Sequence, residues 1–236
     1  MIKKVKETIL VFSKKDIFII IPIINEGPVI KGVIKEIISA GYQNIIVVDD
    51  GSTDNTVSVL KGQDIIYLKH AINRGKGAAT KTGFEAAKIL GAEIAVTIDG
   101  DGQHEVKDIE RLVKPIVKEG YDVILGSRDF GSGEVPSYKV VANMIGNFFV
   151  WVFYGLYVKD SQSGLRAYSK KALRLIDTKT DRYEYDGEVI REIKVNKLKY
   201  KEIPISVKYT AHSMSKTNKQ GFVNGIKTLI KMALFD

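Results

Sequence analysis

The chain has 236 residues, 44% of them hydrophobic and 27% charged, which fits one sizeable soluble core and excludes fibrous and intrinsically disordered classes. It contains no cysteine, so disulfide frameworks, thiolate zinc sites and cysteine nucleophiles are excluded, and their absence fits a reducing, cytoplasmic compartment. The 36 Lys and Arg against 28 Asp and Glu leave a net charge of +8, which points to an anionic partner: nucleic acid, a membrane surface or a phosphorylated substrate.

The opening stretch, MIKKVKETILVFSKK, holds only the short apolar run Ile9–Phe12 and is not read as a signal peptide. Asp16–Ile24 is a continuous β-branched run, the pattern of a strand buried on both faces. Glu26–Ala40 carries apolar residues at Val29, Ile30, Val33, Ile34, Ile37 and Ile38, one face of a helix closed by Gly41. The alternation then repeats: strand Asn44–Asp50, helix Asp54–Leu60, strand Asp64–Leu68, helix Lys76–Leu90, strand Glu93–Asp99, helix Val106–Lys118 and strand Asp122–Ser127. Five strand-then-helix units predict a mostly parallel sheet covered on both faces, with ligands at the carboxyl ends of the strands.

Further on, the spacing predicts helices over Ser137–Tyr157, Lys170–Ile176 and Asp186–Asn196, a strand over Lys201–Tyr209 and an amphipathic tail helix from about Gly221. Val140–Val158 runs 19 residues without a formal charge, the length of a membrane span. Asn143, Gly146, Asn147 and Gly155 interrupt it, however, and favour a buried or interfacial helix.

Polar residues cluster at the predicted strand ends. Asp99-Gly100-Asp101-Gly102-Gln103-His104 puts two carboxylates where glycines allow a turn, so that both can converge on a hard cation such as Mg²⁺ or Mn²⁺. As a plain turn, the same residues would simply cap the next helix. His104 reads as a capping or packing residue. Asp49 and Asp50, followed by Gly51-Ser52-Thr53-Asp54, suit hydrogen bonds to a base or ribose, with Thr53 or Asp54 capping the next helix. Asn73-Arg74-Gly75-Lys76-Gly77-Ala78-Ala79 combines small residues, a helix start and a lysine, which favour a closely approached anion. It matches neither the P-loop nor the GxGxxG fingerprint. Together these segments describe a nucleotide-diphosphate site with a divalent metal.

IPIINE, VVDDGSTDNT, NRGKGAA, DGDGQH and GSR, in this order, resemble a family 2 glycosyltransferase of the GT-A fold. DSQSGLRAYS and EIPISVKY, followed by Ser215-Lys216, narrow the resemblance to the dolichyl-phosphate mannose synthase branch, with its relatives that transfer glucose or N-acetylglucosamine to polyprenyl phosphate. The resemblance runs from about Ile19 to Lys216. It implies a three-layer α/β/α nucleotide-diphospho-sugar transferase in a single domain, 1–236, with a nucleotide-sugar half (16–128), an acceptor half (129–216) and a tail helix (217–236). Pro22, Asn25 and Glu26 then belong to the first nucleotide-binding loop, Asp49 and Asp50 to base and ribose recognition, and Asn73, Gly75, Lys76 and Gly77 to the donor loop. Asp99, Asp101 and Gln103 correspond to the metal and diphosphate motif, Arg128 and Arg166 to basic residues near the acceptor phosphate, and Ser215 and Lys216 to a C-terminal Ser-Lys pair. Mannose synthases often carry an arginine a few residues before that pair. Thr210 stands near its place, with Lys208 and His212 close by, and the departure leaves UDP-N-acetylglucosamine, UDP-glucose and GDP-mannose all open as donors.

The implied reaction is an inverting transfer to polyprenyl or dolichyl phosphate. That acceptor is already anionic, so it needs cationic positioning more than a general base. A hydroxyl acceptor on a glycan or glycolipid is the alternative. A nucleic-acid-binding module is set aside, because the acidic strand ends would repel phosphate without a metal. A pyrophosphorylase would open on a glycine-rich loop with Arg and Lys, and a processive synthase would carry Gln-x-x-Arg-Trp; the only tryptophan is Trp151, in the apolar run. Residues 1–188 carry 26 basic and 25 acidic side chains, whereas 189–236 carry 10 and three. The charge excess therefore lies at one end, and points to peripheral contact with an anionic membrane at its cytoplasmic face.

Overall fold

β1 (Ile17–Ile23) sends Ile17, Ile19, Ile21 and Ile23 to one side and Phe18 and Ile20 to the other, all of them buried. A strand buried on both faces belongs in the middle of a sheet with helices above and below. In the computed structural model, which describes residues 13–129, 137–182 and 184–208, β1 has that place. It is joined by β2 (Asn44–Asp49), β3 (Ile66–Lys69), β4 (Ile94–Thr97), β5 (Val123–Arg128), β6 (Arg166–Ser169) and β7 (Tyr200–Ile205) in one sheet, ordered β3-β2-β1-β4-β6-β5-β7. One face is covered by α1 (Ile30–Ser39), α2 (Thr56–Leu60) and α4 (Lys107–Glu119), through residues such as Ile34, Ile37, Leu60, Ile109 and Leu112. The other is covered by α3 (Lys76–Ile89), α5 (Ser137–Tyr154), α6 (Lys170–Leu175) and α7 (Glu184–Val195), through Phe84, Val150, Leu173, Val189 and Ile193. The result is the expected three-layer α/β/α arrangement.

Three of the departures from expectation bear on the site. The first helix begins at Ile30, because the Glu26 carbonyl accepts from the amides of Val29 (3.0 Å) and Ile30 (2.9 Å) and makes Glu26–Val29 a turn. β6 has no hydrophobic run to announce it, yet lies mid-sheet, antiparallel to both β4 and β5. Its charged Arg166 is tolerated there because the carbonyls of Ser161 and Ser163 accept from its guanidinium. The last strand ends at Ile205 instead of Tyr209. Residues 206–208 peel away, with the Ser206 amide donating to Asp108 (2.8 Å) and the Lys208 amide to the Gln103 carbonyl (2.7 Å). The expected tail helix lies outside the described residues.

The chain steps from β1 to β2 and β3 on one side, then returns to β4 on the other side of β1. The carboxyl ends of β1 and β4 therefore part at a topological switch point, where a ligand cleft opens. Pro22, near the end of β1, costs no ladder bond. Ile20 faces β4, as its carbonyl accepting from Ile98 shows, and by alternation so does Pro22, past the last β4 residue, Thr97.

α5 explains the apolar segment. Its asparagines turn inward: Asn147 donates to the Lys159 carbonyl (2.5 Å) and accepts from the Ser161 amide (2.9 Å) and hydroxyl (2.7 Å), and Asn143 donates to the same Lys159 carbonyl (3.2 Å). The helix stops at Tyr154, short of the expected Tyr157, and Gly155 follows with φ +61°. Among the described residues no helix is long and apolar enough to cross a membrane. Asn147→Ala should cost about 2–3 kcal/mol in urea unfolding, because it strands the buried Ser161 amide and hydroxyl and leaves the Lys159 carbonyl with Asn143 as its side-chain donor. Met144→Ala, on the exposed face of the same helix, should stay within about 0.5 kcal/mol of the parent protein.

Candidate active site

At the switch point lies a cleft of about 450 Å³. Its walls come from the end of β1 (Pro22, Ile23, Ile24, Glu26), from Asp50 after β2, from the donor loop and start of α3 (Asn73, Gly75, Lys76, Ala79), from Asp99, Gly100 and Asp101 after β4, and from Arg182 before α7. Eight residues singled out in the sequence thus meet around one cavity. Arg182 joins them from a segment that no sequence motif marked.

The acidic strand end is the chemical centre. Lys76 Nζ lies 2.8 Å from Asp99 Oδ1, and His104 Nε2 lies 3.5 Å from Asp99 Oδ2. Burial works to raise the Asp99 carboxyl, but Lys76 and then His104 hold it below the usual carboxylate range. Asp101 lacks such a cation. It accepts from the Gln103 amide (3.0 Å) and side chain (2.8 Å), and burial, followed by the charge of Asp99, pushes its carboxyl up. Gln103 is thereby tied to Asp101, beside the cleft. Gly164 belongs to the same arrangement, since a Cβ there would fall 2.2 Å from Asp99 Oδ2.

Asp49 and Asp50 divide differently from expectation. Asp49 is fully buried, accepts from the Ser52 amide and the Tyr67 hydroxyl (both 2.7 Å), and does not reach the cleft. Asp50 reaches the cleft, but its carboxylate also accepts from the amides of Arg74 (2.9 Å) and Gly75 (2.7 Å) and pairs with His70 (2.8 Å). It therefore moors the donor loop. Asn25, in the left-handed region at φ +54°, accepts from the amides of Thr53 (2.9 Å) and Asp54 (3.3 Å) and fixes one loop to the other without lining the cavity.

The glycines of the donor loop make room for protein. A Cβ on Gly75 would fall 2.4 Å from the Asp181 carbonyl, and one on Gly77 would fall 2.6 Å from Tyr185 Cβ. The segment leading into α7 crosses there, so Gly77 is a packing residue and only Gly75 also lines the cleft.

The two arginines expected near the acceptor phosphate sit apart from the main cavity. Arg128 is held by Asp160 through Nε (2.7 Å) and NH2 (2.8 Å), a bidentate pair whose carboxylate is fully buried. Arg166 is the more deeply buried of the two. It is 1% exposed, bonded to Ser161 and Ser163 and paired with Asp186 at 3.2 Å. It lies beside the cleft with Tyr168, Tyr185 and Thr97, around a pocket of about 10 Å³ shared with Lys76. Ser215 and Lys216 lie outside the described residues. Asp160, Asp186 and Asp181 carried no isolated sequence signal, although Asp160 opens the quoted DSQSGLRAYS segment.

Sheet order, cleft position and acidic strand end together define a glycosyltransferase of the GT-A fold. Mannosyl-3-phosphoglycerate synthase from Rubrobacter xylanophilus shares the fold with a TM-score of 0.69 at 14% identity, over 93% of this chain and 72% of that one. Glucosyl-3-phosphoglycerate synthase from Mycobacterium tuberculosis, solved with Mn²⁺ and UDP-glucose, gives 0.66 at 19% identity, over 93% and 78%. Residues 18–176 match Glycosyl transferase family 2, and the chain belongs to that family. The UDP-N-acetylglucosamine–dolichyl-phosphate N-acetylglucosaminyltransferase of Methanococcus voltae is 40% identical over 226 residues, 86% of this chain and 90% of that one. An uncharacterized protein of Methanocaldococcus jannaschii is 41% identical over 237 residues, 98% and 97%.

Because the folded-state Asp101 carboxyl lies above its unfolded value, it costs the metal-free fold stability that grows as pH rises past the unfolded value and is complete above the raised one. In EDTA at neutral pH, Asp101→Asn should therefore raise the calorimetric Tm, by about 2–4 °C for each kcal/mol of repulsion relieved. The gain should vanish below about pH 3.5, where the carboxyl is protonated in both states. A lowered Tm at neutral pH would contradict the assigned repulsion.

Proposed function

We propose that this glycosyltransferase moves a hexose or N-acetylhexosamine, with inversion, from a nucleoside-diphosphate sugar to polyprenyl or dolichyl phosphate, assisted by Mg²⁺ or Mn²⁺, at the cytoplasmic face of a membrane. The observation that carries it is the pairing, in one cleft at the switch point, of two mutually repelling carboxylates with Lys76 and Arg182. The residues fit a divalent cation. Asp99, Asp101 and Gln103 offer only oxygen donors for it, and the raised Asp101 marks a deficit of positive charge. Among the described residues no three His, Asp or Glu converge as a closed cage, which suits an ion that keeps waters and shares substrate phosphates. When bound, the ion supplies Lewis-acid charge to the departing diphosphate.

The chain's own groups do the rest. Lys76, at the start of α3, places an ammonium beside the diphosphate position, and burial is overcome by Asp99 and then Asp186 to keep it protonated. Asp50 and Asn73 hold the donor loop and face the nucleoside, and Pro22, Ile23 and Ile24 wall it with apolar surface. Arg128, outside that cleft and oriented by Asp160, is the cation proposed for the acceptor phosphate, an anion that requires no general base. The Methanococcus voltae relative puts UDP-N-acetylglucosamine first in a donor panel that also includes UDP-glucose and GDP-mannose.

The test is that panel against a short-chain polyprenyl phosphate, reading out sugar on lipid. Asp101→Asn should lower transfer by about 100-fold or more, and raising Mg²⁺ should shift the acid limb of the wild-type profile to lower pH, because metal and proton compete for Asp101. Undiminished transfer by Asp101→Asn would sink the metal assignment, and a hydroxyl acceptor used in preference to the lipid phosphate would sink the acceptor.

Membrane contact is supported by α5, whose outward face exposes Met144 (65%), Phe148 (52%), Trp151 (48%) and Val152 (53%). The Phe148→Ser, Trp151→Ser double variant should bind anionic vesicles about tenfold or more weakly in co-sedimentation. It should keep its transfer rate to a water-soluble short-chain acceptor, and unchanged vesicle binding would remove α5 from the membrane face.

A further inference from the structure

Two cations line the cleft, and they differ in availability. Lys76 is committed to Asp99 at 2.8 Å, whereas Arg182 is exposed and forms no ion pair with another described residue. Its backbone is nevertheless fixed. The preceding residue, Asp181, is bound three ways to the donor loop and α3: its carbonyl accepts from the Ala78 amide (3.0 Å), and its carboxylate pairs with Arg74 (3.1 Å) and Lys81 (2.5 Å). Gly75 and Gly77 let Asp181, Arg182 and Tyr185 press against that loop, and Arg182 Cγ would lie 2.8 Å from a Cβ on Gly75. An arginine held by its backbone at a cavity wall, with its guanidinium unpaired among the described residues, is suited to an incoming oxyanion.

We propose that Arg182 is a substrate-binding residue that grips a phosphate group, with Asp181 as the positioning residue that seats it. The assignment rests on reading the cleft as the donor site. Phosphate reaches that cleft from two sources, the donor diphosphate and the acceptor monophosphate, and both present the same oxygens to a guanidinium. Being exposed and unpaired, Arg182 contributes little to the fold, so its removal is separable from unfolding.

The test uses the full chain and isothermal titration in Mg²⁺, with UDP and uridine, and GDP and guanosine, as paired probes. Arg182→Ala should weaken the nucleoside diphosphate that the wild type binds by about tenfold or more, leave the matching nucleoside unchanged, and leave Tm unchanged. Arg182→Lys should recover part of the loss, and Asp181→Asn should reproduce a smaller loss of the same kind. Intact diphosphate affinity with a raised KM for short-chain polyprenyl phosphate would place the same grip on the acceptor. Equal weakening of nucleoside and nucleoside diphosphate would overturn the proposal, because it would mean contact with the base. Unchanged affinity and unchanged KM would also overturn it. A wild type that binds neither UDP nor GDP would instead sink the donor-site reading, and this assignment with it.

Discussion

Two carboxylates two residues apart, at the end of a strand buried on both sides, repel one another across the floor of a cleft, and much of the surrounding architecture is the means by which that repulsion is offset. Asp99 is met by Lys76 at 2.8 Å and by His104 at 3.5 Å, so its charge is secured. Asp101 receives only hydrogen bonds from Gln103, so its charge is not. The asymmetry matters because Asp99 already has an internal ion pair, whereas the unmet charge on Asp101 is available to a ligand. A site that neutralised both carboxylates would have no reason to take up a divalent cation. A site that neutralised neither would lose stability to its own field.

Keeping Lys76 on Asp99 requires a chain of supports that ends far away in sequence. Lys76 opens α3, and the loop before it is moored by Asp50 through the amides of Arg74 and Gly75. The other side of that loop is pressed by Asp181, Arg182 and Tyr185, and is bonded through Asp181. Beneath it, Arg166 reaches Asp186 and the Ser161–Ser163 carbonyls, which places β6 and the start of α7 under the same lysine. The antiparallel strand in the middle of an otherwise parallel sheet is thus a functional device: it brings the later part of the chain under the carboxyl end of β4.

What was legible in the sequence follows from this division. The layers were legible because Ile17–Ile23 and Asn44–Asp49 are long β-branched runs, and the helices between them keep a strict apolar stripe. Asp99, Asp101, Lys76 and Asp50 were legible because loops at strand ends of a parallel sheet are where ligands bind, and their residue types name the chemistry. β6 was not, since Arg-Ala-Tyr-Ser alternates nothing apolar enough to mark a strand, and its burial depends on carbonyls supplied by its own preceding loop. The burial of Arg166 and the packing role of Gly77 were hidden for the same reason. Each is decided by a partner about 20 to 110 positions away, Asp186 for one and Tyr185 for the other, and local pattern carries no record of such meetings. Arg182 and Asp181 fall in this class too.

α5 shows the same principle at the surface. An apolar segment with two asparagines reads as a compromised membrane span until the asparagines are seen to face inward, bonded to Lys159 and Ser161. The asparagines then serve the protein interior beside Val150 and Tyr154, and further apolar residues are left outside, which departs from the usual polar outer face of a surface helix. Such a departure is costly in water unless something apolar covers the outer face. The loop that the asparagines grip, 159–161, is the one that carries Asp160 to Arg128. Whatever rests on the outer face of α5 is therefore joined, through Asn147 and two residues of loop, to the guanidinium proposed for the acceptor. A lipid-phosphate acceptor is the chemistry that would make use of both ends of that connection.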